Sequence, residues 1–216
     1  MSAAVPRPPR RHRRMSRAER ERQMLDVAEE VFGDRGYQGT SMDEIAQRCG
    51  VSKPMLYEYF GSKDGLFAAC VDRTKAELLH VTQKAMAAAS TPEDVLWHAM
   101  VAYFAFADEH SRSFAMMLSR PTDGSWKTVD AVEAIRRQQG TLISAALTAF
   151  APHIGEQAIA AFTEIIIGAS ERLAQWRTRH PQVRIEDAAR HMTDFCWKGL
   201  SPYLAEPGRS MPPRTP

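Results

Sequence analysis

Lys53, Tyr57, Tyr59 and Lys63 stand close together in the chain, with Pro54 and Met55 between them. Ammonium groups pair with phosphate oxygens. Phenol hydroxyls donate to the same oxygens, and aromatic rings lie against sugars and bases. A helix beginning at Ser52 or Lys53 would add backbone N–H groups and the positive end of its dipole. In such a helix Lys53, Pro54, Met55, Tyr57 and Tyr59 are the candidates for the outward surface, and Lys63 flanks it at the start of the next helix. A single surface lysine is usually just solvated, and a single tyrosine usually packs by its ring. These residues gain meaning from the elements around them.

Two short helices that cross tightly are needed to hold such a surface in a DNA groove. Ser41 followed by Glu44 reads as a capping box opening a helix to Cys49, and Gly50 supplies a turn. Ala46 is small at the crossing. Ile45, Cys49, Val51 and Leu56 are apolar where the two helices must face each other and the core. The spacing therefore predicts a helix-turn-helix over Ser41–Phe60.

The flanking sequence reads as helix throughout. Ser16 and Glu19 form another capping box, opening a first helix to about Asp34 that Gly36 ends, with Met24, Leu25, Ala28, Val31 and Phe32 as its buried stripe. Ser62 caps a fourth helix reaching about Ala89. Thr91-Pro92-Glu93-Asp94 is a strong start for a fifth. Further helices are predicted near Phe114–Leu118, about Ser125–Phe150, about Glu156–Arg179 and about Ile185–Leu204, the last with a kink possible at Pro202. The fold class is all-α, with about nine helices and no strand. The domain reading is a basic arm over 1–16, a DNA-binding domain over 17–63, a larger helical domain over 64–205 and a tail over 206–216.

The 216 residues are 44% hydrophobic and 25% charged, enough apolar mass for a real core. Net charge is only +2, but the first 17 residues carry six arginines and no acid. With Pro6, Pro8 and Pro9 this stretch reads as an extended arm attracted to polyanions. Residues 18–63 carry six basic side chains against nine acidic ones, so the helix-turn-helix is no general polyanion binder. No run of about 18 apolar residues is present, and no membrane association is expected. Cys49, Cys70 and Cys196 are odd in number and widely separated, which suits a reducing cytoplasm.

Enzyme signatures are missing. There is no phosphate-binding glycine loop, no H-E-x-x-H, no G-x-S-x-G and no cysteine pair at metal spacing. The seven histidines are scattered, with no pair on one helix face. No catalytic residue, metal or cofactor is expected.

The stretch MLDVAEEVFGDRGYQGTSMDEIAQRCGVSKPMLYEYFGSKDGLF, from Met24 to Phe67, resembles the N-terminal DNA-binding domain of TetR-family transcriptional regulators. The resemblance runs from about Glu21 to Val71. It rests on Phe32 with Arg35-Gly36-Tyr37, Thr40-Ser41, Ile45-Ala46, Gly50-Val51-Ser52, Leu56-Tyr57, Phe60, Ser62-Lys63 and Leu66-Phe67. It implies that Thr40 or Ser41 holds phosphate at the start of the second helix. Lys53, Pro54 and Met55 would approach base edges, and Tyr57, Tyr59 and Lys63 the backbone. Met55 departs from the small or hydroxyl-bearing residue common there, and apolar contact with a thymine methyl would replace a hydrogen bond. Arg14 and Arg17 are placed to enter the adjacent minor groove.

The resemblance further implies a homodimer on a near-palindromic duplex operator, more often a repressor, released by a small effector. The soft apolar side chains of the later helices suggest a mostly apolar ligand, with Trp97, Met100, Phe104, Met117 and Phe162 as pocket walls. The last two helices carry broad apolar stripes, from which Ile159, Ile166, Leu173, Met192, Phe195 and Leu200 are expected at the dimer interface. The alternatives are a DNA-binding dimer without an effector and, less favoured, a helical enzyme.

Overall fold

The computed structural model describes residues 15–118, 137 and 140–205. These residues form nine helices and, among them, no strand. Helices α1 (Arg17–Gly39), α2 (Met42–Cys49) and α3 (Lys53–Phe60) make an N-terminal head, and α4 (Lys63–Met86) leads out of it. The larger body comprises α5 (Pro92–Glu109), α6 (Ser111–Leu118), α7 (residues 140–150), α8 (Glu156–Thr178) and α9 (Ile185–Ala205). Arg14 and the arm before it, the start of the helix predicted at Ser125, and the 206–216 tail lie outside the described residues.

Local signals in the sequence set most of the boundaries. Ser16 and Glu19 form the full reciprocal box, with Ser16 N–H donating to the Glu19 carboxylate at 2.7 Å and Glu19 N–H to Ser16 Oγ at 3.2 Å. Ser62 Oγ accepts from Gly65 N–H, and Thr91 Oγ1 from Asp94 N–H. Ser41 caps α2 by accepting from Glu44 N–H, but the reciprocal half of the box is absent. Glu44 instead ion-pairs with Arg35 and Arg48, each at 3.0 Å. Ser52 stands at the cap position of α3 without a side-chain cap bond. Pro54 has no N–H to offer, and Met55 N–H closes on the Ser52 carbonyl instead. The first helix is also longer than predicted. Gly36 interrupts it with φ 67° and ψ 173°, and helix resumes to Gly39.

One apolar core runs from the head into the body. Ile45, Ala46, Cys49 and Leu56 meet Met24, Ala28, Val31 and Phe32 there, with Leu66, Phe67 and Val71 of α4. Gly50 takes the left-handed conformation, φ 66° and ψ 33°, that turns α2 into α3. Tyr37 rivets the head to α4. Its ring stacks parallel to Phe32 and meets Phe67 edge-on, and its hydroxyl donates to Asp64.

Charge ties the same helices from outside. Arg73 of α4 donates to Asp26 and Glu29 of α1 at 2.7 and 2.8 Å, and Glu29 also accepts from Ser113 Oγ of α6 at 3.1 Å. Glu29 thus joins three helices. In the body, α5 packs between α4 and α9, and α8 packs against α5 and α9. The buried Arg177 donates to Asp108 and, at 2.7 Å, to the Val183 carbonyl, holding the ends of α5 and α8 to the turn before α9.

Candidate nucleic-acid interface

Helix α3 presents Lys53, Pro54, Tyr57 and Glu58 outward, at the i, i+3 and i+4 positions of one face. Lys53 is half-exposed, and its Nζ donates to Asp43 Oδ2 of α2 at 2.8 Å. That bond is the main reason its ammonium titrates above the ordinary lysine range. Tyr57 is 42% exposed. Leu56 is fully buried, as its place in the motif requires.

Met55 and Tyr59 are less available than expected. Both are partly buried against the core, on the side of α3 turned away from the exposed Lys53, Pro54, Tyr57 and Glu58. Tyr59 also carries the guanidinium of Arg17 over its ring, 4.8 Å from the centroid. Lys63 lies half-buried with Nζ 4.4 Å above the Tyr37 ring, a platform that sequence reasoning did not assign. Of the paired hydroxyls before α2, Ser41 is exposed. Thr40 is 4% exposed, and its hydroxyl donates inward to the Gly36 carbonyl at 2.7 Å. Thr40 therefore secures the turn after α1, and Ser41 is the hydroxyl that faces outward. Glu58 was missed, although its i+4 relation to Pro54 places it on the outward face.

Residues 24–70 match the family model for bacterial regulatory proteins of the tetR family, and residues 92–199 match the tetracyclin repressor-like C-terminal domain. The chain belongs to the TetR family. A TetR-like transcriptional regulator from Rhodococcus sp. RHA1 superposes with a TM-score of 0.71 at 32% identity, covering 87% of this chain and 99% of that one. Among curated proteins, the HTH-type transcriptional activator FasR of Mycolicibacterium smegmatis is 40% identical over 108 residues, 50% of this chain and 49% of FasR. The HTH-type transcriptional regulator BetI of Rhizobium meliloti is 37% identical over 75 residues, 35% of this chain and 37% of BetI. The chain thus spans about half or less of these curated relatives.

The TetR-family body contains two adjoining apolar cavities, of about 70 and 80 Å³, which share Met86, Ala99, Met100, Ile143 and Ile166 as walls. Leu78, Tyr103 and Ser170 add to the first, and Leu96, Phe150 and Trp197 to the second. Of the predicted walls, only Met100 is found here. Trp97 faces α9, where Arg190 lies 4.2 Å over its ring. Phe104 is fully buried edge-on to Tyr103 in the solid core. Phe162 lines an outer groove, and the Met117 side chain lies outside the described residues.

The dimer expectation needs a similar correction. Ile159 and Ile166 are buried within the protomer, and Met192 and Leu200, though buried as well, lie at the base of outer grooves of the α8–α9 face. The outward apolar residues are Ile165, 54% exposed, and Phe195, 70% exposed. Two surface grooves of about 550 Å³ each meet at Phe195. One is floored by Phe162, Ile165 and Leu200, the other by Leu173, Trp176 and Met192. Among the described residues no helix is long and apolar enough to cross a membrane.

Proposed function

We propose that this chain is a ligand-responsive, DNA-binding transcriptional regulator that reads a near-palindromic operator as a homodimer. The observation that carries the reading is the outward face of α3, with Lys53 and Tyr57 on a helix whose opposite side is locked into the core by Leu56. Ser41 supplies a hydroxyl for phosphate at the start of α2, and Lys53 and Pro54 reach base edges. Tyr57, Lys63 and the Tyr59–Arg17 pair lie along the backbone. Arg17 leads the arm with Arg14 toward the neighbouring minor groove. Affinity comes from placed cations and the arm, since the head itself is acidic on balance.

Ile165, Leu173 and Phe195 make the α8–α9 face self-complementary for a twofold partner, which sets two heads about 34–36 Å apart on one side of a duplex. The effector is small and mostly apolar, because the cavities at Met100 are walled almost wholly by aliphatic and aromatic side chains. A neighbour in fold, FadR from Bacillus subtilis, was solved with stearoyl-CoA. Leu78 and Met86 belong to both α4 and the cavity walls, so a ligand that spreads the cavity moves the helix that carries the head. Whether release represses or activates depends on where the operator lies relative to the promoter. Repression is the commoner arrangement implied by the resemblance, whereas FasR is named an activator.

The cavity size favours a second reading, a DNA-binding dimer without an effector, since small-molecule sites usually span about 300–1,000 Å³. Selection of bound sequences from random duplex DNA by the purified protein tests the main reading. Enriched near-palindromes with half-sites one turn apart are expected. Recovery of no preferred sequence would refute it. A melting shift with apolar compounds separates the two readings.

A further inference from the structure

Lys53 is the only cation in α3, so whatever holds Lys53 controls the charge that this helix brings to DNA. Asp43 holds it. The carboxylate stands in the first turn of α2 and reaches across the bihelical angle to Lys53 Nζ at 2.8 Å. Glu44 beside it is occupied by Arg35 and Arg48, leaving Asp43 to Lys53. Both partners of the strap are well exposed, 70% for Asp43 and 45% for Lys53. An exposed ion pair of this kind is weak enough to exchange, worth at most about fivefold in an equilibrium constant.

We propose that Asp43 is a specificity-determining residue that discounts Lys53 from binding to arbitrary DNA. This rests on the DNA-binding reading above. Sequence-independent binding is almost wholly pairing of cations with phosphates. When Lys53 leaves Asp43 for a phosphate, one exposed charge pair replaces another and the bare Asp43 carboxylate is left facing the duplex. Little is gained. At a cognate site the ammonium sits against base edges in a close, dehydrated contact, where a charge-assisted hydrogen bond is stronger and outcompetes Asp43. Asp43 therefore weakens non-cognate binding more than cognate binding.

The experiment measures the affinity of full-length protein for a selected duplex and for a shuffled duplex over a range of salt, using D43N, K53M and the double variant. Both side chains are exposed, and melting curves confirm that each variant is folded. For D43N, binding to shuffled DNA should rise about three- to fivefold and its salt dependence steepen by about 0.9 in log–log slope, one counterion. Binding to the selected duplex should change less, so discrimination falls. In the K53M background D43N should have no effect. The proposal is overturned if D43N strengthens both duplexes equally, if the shuffled-DNA slope does not move, or if the gain survives K53M. That last result would mean that Asp43 merely repels phosphate. Equal affinity of the unaltered protein for selected and shuffled duplexes would remove the operator-reading function itself, whereas an equal D43N gain with selection intact removes only this proposal.

Discussion

Gly33 of α1 faces Arg112 of α6 so closely that a Cβ at Gly33 would lie 2.5 Å from Arg112 Cβ and 3.1 Å from its Cα. The obstacle is backbone and the root of a side chain, so no change of rotamer relieves it. The head and the body touch here through bare main chain, with Arg112 turned aside to Asp34 at 2.8 Å.

Gly33→Ala should therefore lower stability, although alanine is the better helix former by about 1 kcal/mol. Overpacking costs about 1–3 kcal/mol, and the close backbone obstacle puts Gly33 toward the upper end, which leaves a net loss of up to about 2 kcal/mol. The shift in urea midpoint measures it. An unchanged or raised midpoint would mean that α1 and α6 part without cost.

Phe195→Glu should yield a folded monomer. The side chain is 70% exposed, so the protomer loses no internal packing, while a dimer would bury a carboxylate on its axis. Sedimentation velocity at micromolar concentration reads the outcome, with Ile165→Glu as a second probe of the same face. Persistence of dimers in both variants would place the interface elsewhere.

Truncating the chain before Met15 should flatten the salt dependence of DNA binding while leaving the fold intact. Ser16 must stay, because its hydroxyl and backbone close the box with Glu19 that starts α1. Five arginines are removed, and each phosphate they neutralise contributes about 0.9 to the slope. An unaltered slope excludes the arm from the complex.

Stability should fall at alkaline pH because of Cys49. Burial raises its thiol from 9.0 to about 11, with Arg20 opposing more weakly. The fold favours the protonated form, so this contribution is fully present below the unfolded value and is lost as pH rises from about 9 through 11. The slope is at most about 1.4 kcal/mol per pH unit for one thiol. Denaturant titrations across that window should show the decline, and Cys49→Ala should make it shallower. Equal slopes in both proteins would contradict the assignment.

Ala99→Phe should block the cavity without touching the head. Ala99 borders both hollows at their junction, and a phenyl ring fills that space. Alkanols that raise the melting temperature of the unaltered protein should no longer do so, while duplex affinity is retained. A melting shift that survives the substitution puts the ligand somewhere else.

The head was legible because its signals are local. Ser16, Ser62 and Thr91 each mark a helix start through a bond to a residue three positions on, and Gly50 marks a turn by its own backbone. What failed depended on rotation about a helix axis. Helix α5 is apolar on several faces, so Trp97, Met100 and Phe104 were equal candidates. Packing alone sends Trp97 to Arg190, Phe104 into the core and Met100 to the cavity. Similarly α8 has both an inward and an outward apolar side, and the stripe containing Ile159 and Ile166 is the inward one. Thr40 and Ser41 are adjacent hydroxyls that only the Gly36 break distinguishes, by turning one of them back toward α1.

The clasp around Tyr37 makes the three N-terminal helices a solid attached to the first turn of α4. With its ring fixed by Phe32 and Phe67 and its hydroxyl by Asp64, the joint cannot flex without breaking aromatic packing and a hydrogen bond together. A change in the direction of α4 is then handed on undiminished, as a tilt whose reach grows with distance from the pivot. In a symmetric pair the two tilts are mirrored by the twofold axis, so a small angle at the base doubles as a change in the span between tips.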